Sequence, residues 1–225
     1  GNSPLGIAYD DNKKNVFVSN WYDNLISVID IDTNLITSKI SVGKSPAGIA
    51  LHPLNNDIVV ANKESNSITI IDNSNYSNKK ELYVQKSPFG VFFDQKGEFI
   101  YVTNVQSNSI SIINYHDRKL LKNIKVGEWP YQVAIDNSNK KLYVTNQRGN
   151  SISVINIEDH KVENTLTEVC EYPEGININL KKKIIVVACW FDNEIIILDL
   201  RSNKLIKKVK VSDGPRAFGN FLITN

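Results

Sequence analysis

Apolar residues in this chain come in short runs rich in Val, Ile, Tyr and Phe, each bounded by Gly, Pro, Asn, Asp or Ser. That is the pattern of β-strands joined by turns. No segment shows helical periodicity with a cap. The runs recur. Tyr101-Val102-Thr103-Asn104 returns 42 residues later as Tyr143-Val144-Thr145-Asn146, with looser copies at Val60-Ala61-Asn62 and Val18-Ser19-Asn20. Pro4, Pro46, Pro88, Pro130, Pro173 and Pro215 keep steps of 42, 42, 42, 43 and 42. A period of this size marks a repeat architecture. The repeats run 1–42, 43–84, 85–126, 127–169 and 170–211, with a sixth beginning at 212–225 that holds one strand.

Each repeat predicts four strands. In the third these are Phe89 to Phe93, Phe99 to Asn104, Ser109 to Asn114 and Leu120 to Val126. The second and third strands are apolar on both faces, as in Ile184-Ile185-Val186-Val187-Ala188 and Ile195-Ile196-Ile197-Leu198. Such strands need cover on both sides, which radially stacked sheets supply. The expected fold is therefore an all-β propeller of four-stranded antiparallel blades in one domain over 1–225. The fourth strand carries Lys39, Lys122, Lys125, Lys207, Lys208 and Lys210. Lysines blunt an open edge, which puts this strand at the rim and the first at the axis. The four-to-one and two-to-three connections then share one end of each blade, here the top.

The tetrapeptides at 101–104 and 143–146, the Gly-x-x-Pro of Gly127 to Pro130 and the following Ser-Ile-Ser-Val-Ile-Asn at 151–156 resemble the YVTN repeat of bacterial β-propellers. The ending Gly214-Pro215-Arg216-Ala217-Phe218-Gly219 resembles the closing segment of relatives of amine dehydrogenase heavy chains. The resemblance implies a periplasmic, secreted or cell-surface protein. It imports no catalysis, because in those dehydrogenases the quinone sits in a separate light chain, and no cofactor is expected. One branch of the family binds single-stranded DNA. The family usually has seven blades. Here Arg216 to Ile223 reads as a closing first strand whose three partner strands are absent, so the ring is expected to lack N-terminal strands of a further blade, the alternative being closure with five blades and one surplus strand. Gly1 in place of Met fits a trimmed start.

The remaining chemistry is sparse. Net charge is +2, and no apolar run is long enough to span a bilayer. His52, His116 and His160 fall in bottom turns of different blades, read as solvated turn residues with no second ligand at zinc spacing. No nucleophile elbow, phosphate loop or dinucleotide fingerprint occurs. The series Asn20, Asn62, Asn104 and Asn146 reads as bonding loop backbone at the end of strand two, the alternative being a ring of amides around a ligand. The series Asn24, Asn66, Asn108, Asn150 and Asn193 suits left-handed turns. Cys170 and Cys189, at facing ends of adjacent strands, are placed for a disulfide, the alternative being two buried thiols. Bottom-turn lysines such as Lys181-Lys182-Lys183 read as solubilising charge, or as a basic ring for an anionic surface.

Symmetry breaks in the top connections. All three tryptophans, Trp21, Trp129 and Trp190, lie there with Tyr22, Tyr131, Tyr172, Phe191 and Arg216. Exposed aromatics with interspersed charge suit recognition; the alternative is that they cap blade interfaces. Carboxylates at Asp23, Glu64, Glu128, Glu171, Glu174 and Asp192 share this end. The sequence thus points to a non-enzymatic recognition or scaffold propeller, with an unknown protein or small-molecule ligand on the top face. Two alternatives remain: an enzyme or enzyme subunit with a funnel site, and, more weakly, a single-stranded nucleic acid binder.

Overall fold

The structure, a computed structural model, describes residues 1–217. Twenty strands form five antiparallel sheets, each in the simple order one-two-three-four. Blade one is Pro4–Asp10, Asn15–Asn20, Leu25–Asp30 and Ile36–Ser41; blade two is Pro46–Leu51, Ile58–Asn62, Ser67–Ile71 and Lys79–Tyr83. Blade three is Pro88–Phe93, Phe99–Asn104, Ser109–Asn114 and Lys119–Lys125. Blade four is Pro130–Asp136, Lys141–Asn146, Ser151–Asn156 and Lys161–Leu166; blade five is Pro173–Asn179, Ile184–Cys189, Glu194–Asp199 and Leu205–Lys210. A single 3-10 turn, Val105–Ser107, is the one helical element among the described residues. The expected closing strand over 216–223 falls mostly outside them.

The chain forms two compact units, one of Gly1–Ser107 with Ser111–Asn123, the other of Asn108–Ile110 with the chain from Ile124 onward. Within the first, the two-sided apolar strands produce two cores. Phe17, Ile26 and Val28 of blade one meet Ile58, Val60 and Ile71 of blade two. The other face of blade two, through Val59, Ala61, Ile68 and Ile70, meets Val91, Ile100 and Val102 of blade three. Blades four and five share a third core, in which Tyr143, Ile152 and Val154 meet Ile176, Ile185 and Val187. A sheet apolar on one face would leave one of these surfaces wet; at ~25 cal/mol per Å² of apolar area, stacking supplies the main stabilisation.

Close approach of first strands explains the Pro-x-Gly step. A Cβ at Gly48 would stand 2.5 Å from the Phe89 carbonyl oxygen, and one at Gly6 2.4 Å from that of Ala47. Glycine at Gly6 and Gly48 leaves room for these carbonyls, whereas blade four has Gln132 at the same step. A strand-two hydroxyl locks it. Ser19 Oγ accepts from Gly6 N at 2.8 Å and donates to Ala47 O at 2.6 Å. Thr145 repeats this with Gln132 N and Glu174 O.

The asparagines at the ends of the second strands are structural: Asn20 Nδ2 donates to the backbone oxygens of Val18 and Leu25, and all four also reach side-chain hydroxyls that the sequence did not indicate. Asn62 Nδ2 donates to the hydroxyls of Ser67 and Thr69, and Asn146 Nδ2 to those of Ser151 and Ser153, all on strand three. Asn20 and Asn104 likewise reach Ser27 and Ser111. The residue 19 positions earlier packs on the amide: a Cβ at Gly43 would lie 2.7 Å from Asn62 Cγ, and one at Gly127 2.7 Å from Asn146 Cγ. In blade five Cys170 and Cys189 stand at these two positions, and they are joined by a disulfide with Cα atoms 5.9 Å apart.

His52 corrects the reading of all three histidines as solvated. It is buried, its Nδ1 accepts from Leu54 N and Asn55 N at 3.2 Å, and its Nε2 donates to Gly97 O at 3.1 Å. Tyr115 and Phe93 pack on the ring. Asn55 accepts from Asp57 N at 3.0 Å and donates to the Tyr115 hydroxyl at 2.9 Å. The sequence showed a bottom turn and gave no sign of the neighbouring blade's aromatics.

Candidate functional site

The top ends of the blades are built by two staples, the second of them in every blade but the fourth, which has Gly149 at that position. The second asparagine series adopts left-handed backbone, with φ between 47 and 55. Each Oδ1 then accepts a backbone N–H from the next connection: Ser45 at 2.9 Å for Asn24, Ser87 at 2.9 Å for Asn66, Trp129 at 3.0 Å for Asn108, Tyr172 at 3.0 Å for Asn150 and Gly214 at 2.7 Å for Asn193. The second staple joins connections of one blade. Asp23, Ser65, Ser107 and Asp192 accept from the N–H of Asn2, Lys44, Lys86 and Glu171.

The residues held by the asparagines are themselves left-handed. Serine occupies the position at Ser3, Ser45 and Ser87, and glycine at Gly214, but the second unit has Trp129 at φ 56 and Tyr172 at φ 52. A bulky side chain there is strained by roughly 1–3 kcal/mol. Two asparagine staples hold the strain in place and set the direction of both rings. Repeat packing does not require these aromatics, since serine suffices elsewhere.

Tyr172 anchors a cluster. Its ring centroid is 5.8 Å from that of Trp190 and 4.5 Å from that of Phe191, while Trp190 and Phe191 are 4.8 Å apart. Phe191 is 55% exposed. Trp190 seats against Gly214, where a Cβ would meet its Nε1 at 2.8 Å. The Arg216 guanidinium lies 4.3 Å over the Trp190 ring, and that of Arg148 lies 3.6 Å over Trp129. The disulfide ties the bases of this cluster together, because Cys170 leads into Tyr172 and Cys189 into Trp190.

Beneath the rim lies Glu174, which is fully buried. Gln147 Nε2 donates to its Oε1. Arg216 Nε stands 3.4 Å from Oε2, an ion pair that does not meet hydrogen-bond geometry, so Oε2 has no hydrogen bond among the described residues. Burial raises the Glu174 pKa; Arg216 and Gln147 oppose it. Tyr131 is pushed up by burial and then by the Glu174 charge, with Arg216 opposing. The structure thus brings together Tyr172, Trp190, Phe191 and Arg216, with Tyr131 within electrostatic reach, and places Trp129 on Arg148. Trp21 and Tyr22 belong to the other unit, where Lys63 sits 4.9 Å over the Trp21 ring and Tyr22 is 74% exposed. Sequence reasoning placed Glu174 only among the top carboxylates and did not single out Gln147. The signal was present: the first-strand step that reads Leu5, Ala47 and Phe89 turns polar at Tyr131, Glu174 and Arg216.

No group of three or more His, Cys, Asp or Glu positioned for a metal occurs among the described residues, and no helix is long and apolar enough to cross a membrane. The profile of the YNCE-like beta-propeller family matches residues 4–148. No curated protein matches the sequence. Among solved structures, hydrazine synthase of Kuenenia stuttgartiensis is similar at 18% identity and TM-score 0.70, over 95% of this chain and 88% of that one. A catalytically inactive virginiamycin B lyase from Staphylococcus aureus with quinupristin is similar at 19% and 0.78, over 93% and 70%. A functionally unknown protein from Desulfotomaculum acetoxidans is similar at 16% and 0.77, over 92% and 71%. At such identities the likeness shows the fold alone.

Proposed function

This chain belongs to the YNCE-like β-propeller family, and from that premise we propose that it is a non-enzymatic recognition module whose ligand-binding surface is the aromatic cluster of blade five. One observation carries the proposal: Tyr172 and its neighbours Trp190 and Phe191 form an exposed-edged aromatic cluster on backbone strained where the same step of the repeat elsewhere takes serine. Rigid aromatics supply large contact area at low entropic cost. Tyr131, Trp129 and Arg216 extend the surface, and Trp21 and Tyr22 supply a second candidate patch in the other unit. The partner is a protein or small molecule.

A second reading, an enzyme or enzyme subunit with a small-molecule site, draws support from Glu174, a buried carboxylate beside a tyrosine, as general acid–base chemistry uses. Nucleic acid draws less support: Trp21, Trp129 and Trp190 each have one ring face covered by a cation of this chain, which removes stacking area. An extracytoplasmic site of action is favoured by the Cys170–Cys189 bridge, since such bonds persist in oxidising compartments. The test is a screen of peptides, metabolites and nucleotides against the protein and its Tyr172→Ser and Phe191→Ala variants. Ligands that bind the parent and not these folded variants meet the expectation. Ligands that bind all three equally would overturn it.

A further inference from the structure

Blade one has an open apolar face. Partners across an antiparallel pair project to the same side of a sheet. The register therefore gathers Ile7, Val18 and Ser27 into one row, and Tyr9, Val16, Ile29 and Ile36 into a second row on the same side. Ile7 is 69% exposed, Ile36 51% and Tyr9 47%. In blade two the steps of Val16, Val18 and Ile29 are Ile58, Val60 and Ile71. All three are fully buried there, under Phe17, Ile26 and Val28 from the other side of blade one. Blade one thus keeps the apolar residues that a preceding blade covers elsewhere. Single exposed apolar residues are ordinary, but a contiguous set marks a docking surface.

Two backbone groups of blade one are set for the same partner. Ser3 has the left-handed backbone of Ser45 and Ser87, with φ 56 against 53 and 55. Its carbonyl accepts from Trp21 N, as theirs accept from Lys63 N and Val105 N. The N–H of Ser45 is held by Asn24 Oδ1 and that of Ser87 by Asn66 Oδ1, in each case from the preceding blade. The Ser3 N–H has no hydrogen bond among the described residues, although its backbone is one that non-glycine residues seldom adopt. Leu5 stands at the step of Ala47, whose carbonyl accepts from Ser19 Oγ of the blade before. Apolar rows, a turn asparagine for Ser3 and a strand-two hydroxyl for Leu5 come together on one object, a blade of this repeat. A second copy of the chain does not supply it, because the asparagines at 24, 66, 108, 150 and 193 each hold a backbone N–H already.

We propose that the open face of blade one docks one further four-stranded blade of this repeat, carried on the same polypeptide outside residues 1–225. Its asparagine Oδ1 accepts from Ser3 N, and its apolar face covers Ile7 and Tyr9. In repeat proteins each unit covers its neighbour along the chain, which is why the partner is a continuation of the polypeptide. The proposal is independent of the recognition surface on blade five.

A copy of residues 1–42 fused ahead of Gly1 tests the face, since blade one already covers blade two in this way. Solvent-exchange NMR on the 225-residue and extended chains reads the Ser3 amide. Its exchange is expected to slow about tenfold or more in the extended chain, and an Asn24→Ala change in the added copy should restore fast exchange. Ile7→Asp in the original blade should leave the melting of the 225-residue chain unchanged and lower that of the extended chain. A copy of residues 85–126, which brings Asn108 and Thr103, should act in the same way. Unchanged Ser3 exchange with both copies, or Ile7→Asp neutral at both lengths, would overturn the proposal. Self-association of the 225-residue chain that protects Ser3 and is abolished by Ile7→Asp would make the occupant a second copy and overturn it too. Sequencing the protein isolated from its own cells reads the source: a longer chain is expected, with a further proline and asparagine at the spacing of Pro4 and Asn24. A native chain without them would overturn the assignment.

Discussion

Replacing Cys170 by Gly and Cys189 by Asn gives blade five the pair that blades one, two and four hold at the same separation, yet the exchange will destabilise the protein. The bridge spans 19 residues, and its loss returns about 3 kcal/mol of chain entropy to the unfolded state. The new amide would also lack its partner. In blades one to four the residue seven positions on is Ser27, Thr69, Ser111 or Ser153, and it accepts from the asparagine. In blade five that residue is Ile196, fully buried in the apolar core. An unsatisfied buried amide there costs about a further 1–3 kcal/mol. Reduction alone should therefore lower stability by about 3 kcal/mol, equivalent to roughly 6–12 °C in Tm for a chain of this size. The double variant should lose about 4–6 kcal/mol. Ile196→Thr should then be better tolerated in the double variant than in the parent, with a coupling of about 1 kcal/mol. Urea denaturation followed by far-ultraviolet circular dichroism, in oxidised and reduced buffer, measures all three. An unchanged midpoint on reduction, or additivity of Ile196→Thr with the double variant, would refute the reasoning.

Three further outcomes follow from the same geometry. Asn150→Gly keeps the left-handed turn but removes the acceptor for Tyr172 N; denaturation should show a loss of about 1 kcal/mol, and Asn150→Ala about 2. Gly48→Ala puts a methyl 2.5 Å from the Phe89 carbonyl oxygen and should cost about 1–3 kcal/mol by the same assay, against near-neutrality at an open surface site. Burial holds the His52 pKa below its ordinary value of 6.5, against the pull of Gly97 O, Asp57 and Asp94. The unfolded chain therefore binds the extra proton first, and stability should fall as pH drops through 6.5 towards the lower folded value. Comparing pH-dependent melting with His52→Gln isolates this part, which the variant should lack.

The strands were legible because two-sided apolar runs at a fixed period have only one kind of partner, another such sheet. Phe99–Asn104 and Ser109–Asn114 appear in the structure with the bounds expected from sequence. The left-handed asparagines were legible because few residues tolerate that backbone. Their second role, fixing the next connection through Oδ1, was not, because the bond reaches 21 or 22 residues along the chain and its acceptor looks like any turn asparagine. The same holds for His52, whose ring packs on residues 41 and 63 positions away, Phe93 and Tyr115. Within the candidate site, composition flagged Trp190, Phe191 and Arg216. It did not show that Arg216 lies over Trp190, nor that one top carboxylate, Glu174, is buried while Glu171 is exposed. Which side of a strand an acid faces is set by register, and register at these connections is shifted by a bulge between Pro173 and Ile176.

The chain has three tryptophans, so a nitrogen-15-labelled sample gives three indole N–H signals, one from each of Trp21, Trp129 and Trp190. Titrating the labelled protein with the tightest ligand from the binding screen reads the recognition surface directly. The account predicts that the Trp190 signal moves saturably and that Phe191→Ala abolishes the movement. A saturable ligand that leaves Trp190 in place would contradict it.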